Sequence, residues 1–73
     1  MNKINENVIG KNLKKFRTEQ HFTQQSFAHH LHVSRQAISA YERGIALPDI
    51  LLLQQIADLL NISLDTIVGR IST

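Results

Sequence analysis

Four short polar residues, each standing directly before an apolar helical pattern, divide the chain into segments. They are Thr23, Ser34, Asp49 and Ser63. Side chains of this type accept a hydrogen bond from a free N–H in the first turn of a helix, and so favour helix starts. They predict helices over residues 24–31, 35–43 and 50–60, and a short fifth helix that ends before Gly69.

The segment before Thr23 predicts one longer helix. Its residues Ile9, Leu13, Phe16 and Gln20 follow the spacing of a single helix face. No segment alternates apolar and polar residues for long enough to predict a strand. Residues 1–73 are therefore expected to form one all-α domain of five helices. The expected core residues are Ile9, Leu13, Phe16, Phe22, Phe27, Ala28, Leu31, Val33, Ile38, Tyr41, Leu47, Ile50, Leu53, Ile56, Ala57, Leu60, Ile62, Leu64, Ile67 and Val68.

Composition excludes several classes of protein. Hydrophobic residues make up 42% of the 73 residues and charged residues 19%, which excludes an intrinsically disordered chain. The absence of cysteine excludes disulfides and thiolate metal ligands. The longest apolar run, residues 50–53, is too short for a membrane span, and residues 1–6 lack the apolar stretch of a signal peptide. We therefore expect a soluble, cytoplasmic protein that does not associate with membranes.

The connection between the second and third helices has only three residues, His32, Val33 and Ser34. Three residues are too few for an antiparallel return, so the helices are expected to cross steeply, as in a helix-turn-helix over residues 24–43. His32 stands where the turn requires a left-handed backbone, and histidine is one of the residue types enriched there.

Several motifs, taken together over about residues 8–70, resemble the phage-repressor (Xre or Cro-like) helix-turn-helix family. The matching stretches are IGKNLKKFR (9–17), FTQQSFA (22–28), VSRQAISAYERG (33–44), LP (47–48) and IADLLNISLD (56–65). The chain departs from the pattern in three places. Phe27 replaces the usual leucine, and His32 replaces a common glycine or asparagine. The loop Ile45-Ala46-Leu47 lacks the lysine or arginine that many relatives carry there. The resemblance implies a compact five-helix, lambda-repressor-like fold. It also implies double-stranded DNA as the partner and a homodimer that regulates transcription, most often as a repressor.

The third helix carries the residues expected to read bases. Arg35, Gln36, Ser39 and Ala40 fall, together with Arg43, within an arc of about 140°. Arginine can donate two hydrogen bonds to guanine, glutamine can pair with adenine, and alanine can lie against a thymine methyl group. A plain solvated polar face is the alternative interpretation of this surface alone.

Phosphate contacts are expected around the helix N-termini, where free N–H groups favour an anion. The expected phosphate-binding residues are Lys14, Thr23, Gln24, Ser34 and Arg43. Residues 1–43 carry a net charge of +4 and residues 44–73 a net charge of −2, which favours a polyanion on one side of the domain. By the family resemblance, Arg17 and Glu42 form a structural ion pair, which we expect to be partly exposed.

The sequence predicts neither an enzyme nor a cofactor. His29, His30 and His32 cluster in sequence, but adjacent helical residues diverge by about 100°, so a zinc site is not expected. No serine, histidine and acid are expected to share a pocket. The alternative function is an antitoxin or another protein-interaction module with the same fold.

A single recognition helix contacts few base pairs, so a homodimer on a palindromic operator is expected. The family resemblance implies an interface at the turn between helices 4 and 5 and on helix 5. Leu51 adds to this expectation, because it lies nearly opposite the core face of helix 4. The expected interface residues are Leu51, Asn61, Ser63, Thr66, Ile67 and Arg70.

Overall fold

The computed structural model describes residues 6–69, which form five α-helices and no strand. The helices are α1 (Glu6–Glu19), α2 (Gln24–Leu31), α3 (Arg35–Glu42), α4 (Ile50–Leu60) and α5 (Leu64–Val68). The all-α prediction is confirmed, and α2 and α4 begin and end where the sequence predicts. Helix α3 ends one residue earlier than predicted, because Arg43 is its C-terminal cap.

The four predicted capping residues all cap a helix. Thr23, Ser34 and Ser63 each accept a hydrogen bond at 3.0 Å from the backbone N–H three residues later, and Asp49 accepts one at 2.8 Å. Left-handed residues end three of the helices, with φ of 59° at His32, 57° at Asn61 and 80° at Gly69. The boundaries of α2, α3, α4 and α5 are thus set by contacts within a few residues of chain.

Residues from all five helices form the core, and most of the predicted core residues lie in it. The buried apolar residues are Ile9, Leu13, Phe27, Ala28, Leu31, Ile38, Leu53, Ile56, Ala57, Leu60 and Ile67. Phe16, Phe22, Val33, Tyr41, Ile62, Leu64 and Val68 pack against them with part of their surface exposed.

The prediction was wrong at two core positions. Leu47 is 48% exposed and Ile50 is 66% exposed. In the loop between α3 and α4, Pro48 is buried and its neighbour Leu47 is not. Ile50 is on the helix face of Leu53, but it is the first residue of α4, and the burial of that face begins only one turn later. The exposed apolar residues Ile45, Leu47, Ile50 and Leu51 therefore line the connection from α3 into α4.

Helix α1 is tied to the other helices by close backbone packing and by side-chain hydrogen bonds. A Cβ added to Gly10 would lie 2.5 Å from the carbonyl oxygen of Tyr41 and 2.6 Å from that of Glu42. The amide of Asn12 donates to the carbonyl of Ile67 at 2.9 Å, and the amide of Gln20 donates to that of Leu60 at 2.6 Å. These bonds satisfy carbonyl groups near the C-terminal ends of α5 and α4, which have no partner within the helix.

Among the described residues, no helix has the length and apolar character needed to cross a membrane.

Candidate nucleic-acid interface

Helices α2 and α3 and the turn between them have helix-turn-helix geometry. The N–H of Val33 donates to the carbonyl of Ala28 at 3.0 Å, and His32 adopts the left-handed conformation that the sequence predicts. Both helices turn apolar side chains into the core: Phe27 and Leu31 from α2, and Ile38 from α3. This packing leaves the opposite side of α3 facing outward.

The outer face of α3 carries the four predicted base-reading residues. Arg35 and Gln36 are exposed, and their side chains make no hydrogen bond with the described part of the chain. Ser39 and Ala40 are partly buried and small. The face therefore combines two long, exposed polar side chains with two short ones, Ser39 and Ala40, over which another molecule can approach the helix closely.

Arg17 and Glu42 pair as expected, but the pair is buried rather than partly exposed. Their side chains are only 7% and 3% exposed. Arg17 donates through Nε to Glu42 Oε2 at 2.5 Å and through Nη2 to Oε1 at 3.1 Å, and its Nη1 donates to the carbonyl of Phe22 at 2.7 Å. The two side chains lie at the end of α1 and the end of α3, where surrounding helices cover them from solvent.

Gln24 also belongs to this group, through a hydrogen bond to Glu42 that the sequence did not predict. Its Nε2 donates to Glu42 Oε1 at 3.1 Å. Gln24 begins α2 and Glu42 ends α3, and no local pattern relates residues 18 positions apart. Only the crossing of the two helices brings them together.

The other predicted phosphate-binding residues lie at helix ends or on the surface. The hydroxyl oxygens of Thr23 and Ser34 accept capping hydrogen bonds from Ser26 and Ala37, and each hydroxyl still has its own proton to donate. Lys14 and Arg43 are exposed. The structure thus leaves a hydrogen-bond donor available at each of these four positions.

The expected dimer surface is only partly exposed. Leu51 is 65% exposed, Asn61 and Ser63 are exposed, and Thr66 is partly buried. Ile67 must be removed from this set: its side chain is 0% exposed and lies in the core of its own chain, so a second copy cannot reach it. Arg70 lies outside the described residues.

His30 takes part in contacts within the chain. Nδ1 of His30 lies 2.8 Å from the carbonyl oxygen of Ser26, and its ring meets that of Phe22 edge-on, with centroids 5.4 Å apart. Within residues 6–69 no group of three or more histidine, cysteine, aspartate or glutamate residues is arranged to hold a metal ion.

The fold and the α2–α3 arrangement define a helix-turn-helix domain. Residues 13–67 match the model of the helix-turn-helix family HTH_3, so the chain belongs to this Xre-like family of DNA-binding regulators. This confirms the family resemblance found in the sequence.

Curated relatives and a solved structure agree with this membership. The chain is 41% identical over 58 residues to the uncharacterised HTH-type transcriptional regulator YqaE of Bacillus subtilis, covering 80% of this chain and 50% of YqaE. It thus spans only half of that relative. It is 38% identical to the HTH-type regulator YazB of the same organism, covering 84% of YazB and 80% of this chain. The SOS-response transcriptional repressor LexA from Eubacterium rectale superimposes with a TM-score of 0.83 at 25% identity, over 93% of this chain and 72% of that one.

Proposed function

We propose that this chain is a sequence-specific, homodimeric DNA-binding regulator, acting as a repressor, that reads the major groove with α3. The observation that carries the proposal is the outer face of α3. Its Arg35 and Gln36 side chains are exposed and have no hydrogen-bond partner in the described chain. In a helix-turn-helix motif, the second of the two helices enters the major groove, and here that helix is α3.

The chemistry of this face suits base edges. Arg35 can donate two hydrogen bonds to guanine, and Gln36 can donate to and accept from adenine. Ser39 and Ala40 are small enough to let α3 approach the bases, and the Ala40 methyl group can lie against a thymine methyl. Lys14, Thr23, Gln24, Ser34 and Arg43 would hold the flanking phosphates and so orient α3. This function requires neither catalysis nor a cofactor, and its DNA partner implies action in the cytoplasm.

One observation favours a second candidate, an antitoxin or other protein-interaction module. Ile45, Leu47, Ile50 and Leu51 are all exposed within seven residues of chain. Exposed apolar groups of this kind are typical of protein contacts. The two candidates differ in their partner. The selection of duplexes from a random pool separates the regulator from a module that binds only protein, and an adjacent toxin-like reading frame would favour an antitoxin, including one that also represses its own operon.

Binding to the selected duplex is expected to weaken steeply as salt rises. Each phosphate neutralised by lysine or arginine releases counterions and adds about −0.9 to the slope of log affinity against log salt concentration. Lys14 and Arg43 should therefore contribute a slope of about −2 per subunit. Binding isotherms at four or five salt concentrations measure this slope, and a flat response would contradict phosphate docking.

Gln36→Ala is expected to change base preference, and Arg43→Ala to change overall affinity. Loss of a bidentate contact should cost about 1–3 kcal/mol at one or two base positions and relax the preference there. Loss of a phosphate contact should weaken all duplexes about equally. Repeating the selection with each variant tests both expectations, and an unchanged motif with Gln36→Ala would remove α3 from the base-reading role.

Two copies are expected to bind a palindromic operator, with half-sites about 34 Å apart on one face of the DNA. The exposed residues Leu51, Asn61 and Ser63, with Thr66 beside them, are the proposed contact surface. Inserting five base pairs between the half-sites turns one of them to the opposite face of the DNA. Affinity should then fall at least about tenfold, because only one subunit of the dimer can contact its half-site. Sedimentation of the free protein gives its oligomeric state. A monomer that binds both spacings equally well rules out the dimer.

A further inference from the structure

The carboxylate of Glu42 joins three helices at one point. It accepts hydrogen bonds from Arg17 in the last turn of α1 and from Gln24, the first residue of α2, and Glu42 itself is the last residue of α3. An ion pair that only ties α1 to α3 needs no third member. The bond to Gln24 is therefore an additional feature with a consequence of its own.

That consequence is the orientation of the Gln24 amide. A glutamine side chain has two N–H donors and one carbonyl acceptor. One N–H is held by Glu42 Oε1, which leaves the second N–H and the carbonyl oxygen for another partner. Holding a long side chain in one conformation before binding removes an entropic cost that binding would otherwise include.

The position of Arg17 matters for the charge of this arrangement. An isolated carboxylate close to a phosphate would repel it, but Arg17 bonds to both oxygens of Glu42. Glu42 can therefore hold the amide without adding a net negative charge near the DNA. Gln24 is also neutral, so its contact would add affinity without adding to the salt dependence.

We propose that Glu42 is a positioning residue for DNA binding, which holds the Gln24 amide so that its second N–H donates to a backbone phosphate. Arg17 compensates the charge of Glu42 and does not contact DNA itself. This inference rests on the proposed function, and it concerns affinity for the DNA backbone rather than the choice of bases.

The test is a double-mutant cycle on affinity for the duplex recovered by selection. One change is the paired replacement Arg17→Met/Glu42→Leu, which leaves the net charge unaltered and fills the space of the buried pair with apolar groups, often without loss of stability. The other change is Gln24→Ala. The matched control is Gln25→Ala, because Gln25 is the adjacent residue, is exposed and makes no hydrogen bond in the described chain. Circular dichroism gives the folded fraction used to correct each dissociation constant.

We expect Gln24→Ala to weaken binding about tenfold, the effect of losing one hydrogen bond to a charged group. The paired replacement should weaken it about two- to tenfold, because Gln24 can still donate but must first be ordered. Combined, they should weaken it no further than the larger single effect. Gln25→Ala should leave affinity unchanged, and the selected motif and the salt slope should be the same in all variants. If the effects multiply instead, Glu42 does not act through Gln24 and the proposal is overturned while DNA binding stands. If the wild-type chain enriches no duplex, the proposed function fails as well.

A measurement on the free wild-type protein tests the geometry without any variant. Nuclear magnetic resonance should show the Gln24 side-chain amide to be more ordered, and slower in hydrogen exchange, than that of Gln25. Equal mobility of the two amides would overturn the proposal, because an unrestrained Gln24 is not positioned by Glu42.

Discussion

Arg17→Ala is expected to destabilise the fold by about 3–5 kcal/mol, because it leaves the buried carboxylate of Glu42 without its charged partner. The full range applies since the two side chains are only 7% and 3% exposed. The carbonyl of Phe22 also loses its donor from Arg17. A domain of 73 residues has a free energy of unfolding of about 4–11 kcal/mol in total, so the loss removes between about a quarter and all of the stability at 25 °C.

Chemical denaturation of the single variants and of the paired replacement measures this effect. Arg17→Ala and Glu42→Ala should each lower the free energy of unfolding strongly, and Arg17→Met/Glu42→Leu should restore most of it, because no buried charge is left alone. Near-zero coupling between the two positions would show that the ion pair does not contribute to stability. The folded fraction of Arg17→Ala should retain α3-based sequence preference.

Gly10→Ala is expected to destabilise the fold by about 2 kcal/mol, although alanine is the better helix former. The added methyl group would lie 2.5 Å from the carbonyl oxygen of Tyr41 and 2.6 Å from that of Glu42. Both are backbone atoms, so relief requires α1 and α3 to move apart rather than a side chain to rotate. That movement would also shift Glu42, and affinity for DNA should fall together with stability.

Thermal and chemical unfolding of Gly10→Ala measure the loss, with Lys11→Ala as control. Lys11 is the next residue on the same helix and is exposed, so its replacement should change the free energy of unfolding by less than about 0.5 kcal/mol. A Gly10→Ala variant as stable as the wild type would show that α1 and α3 can separate without loss.

The sequence by itself determined the helices and the candidate recognition surface. Thr23, Ser34, Asp49 and Ser63 predicted four helix starts, and the structure places a helix at each. Capping is local, since the hydrogen bond joins residues three apart, so a linear pattern contains all the information needed. The outer face of α3 is also determined locally. Ile38 points into the core, so the opposite side of the helix, which carries Arg35 and Gln36, faces outward.

Only the tertiary structure decided which helix ends are buried and which distant polar groups meet. Ile50 and Ile67 both fit an apolar helical pattern, yet Ile50 is exposed and Ile67 is buried, because burial depends on which neighbouring helix covers a given turn. Gly10 and the Gln24–Glu42 hydrogen bond likewise depend on how closely helices pack and cross. Such contacts join residues 18 or more positions apart, where periodicity contains no information about distance, so they arise only when all five helices have packed around one core.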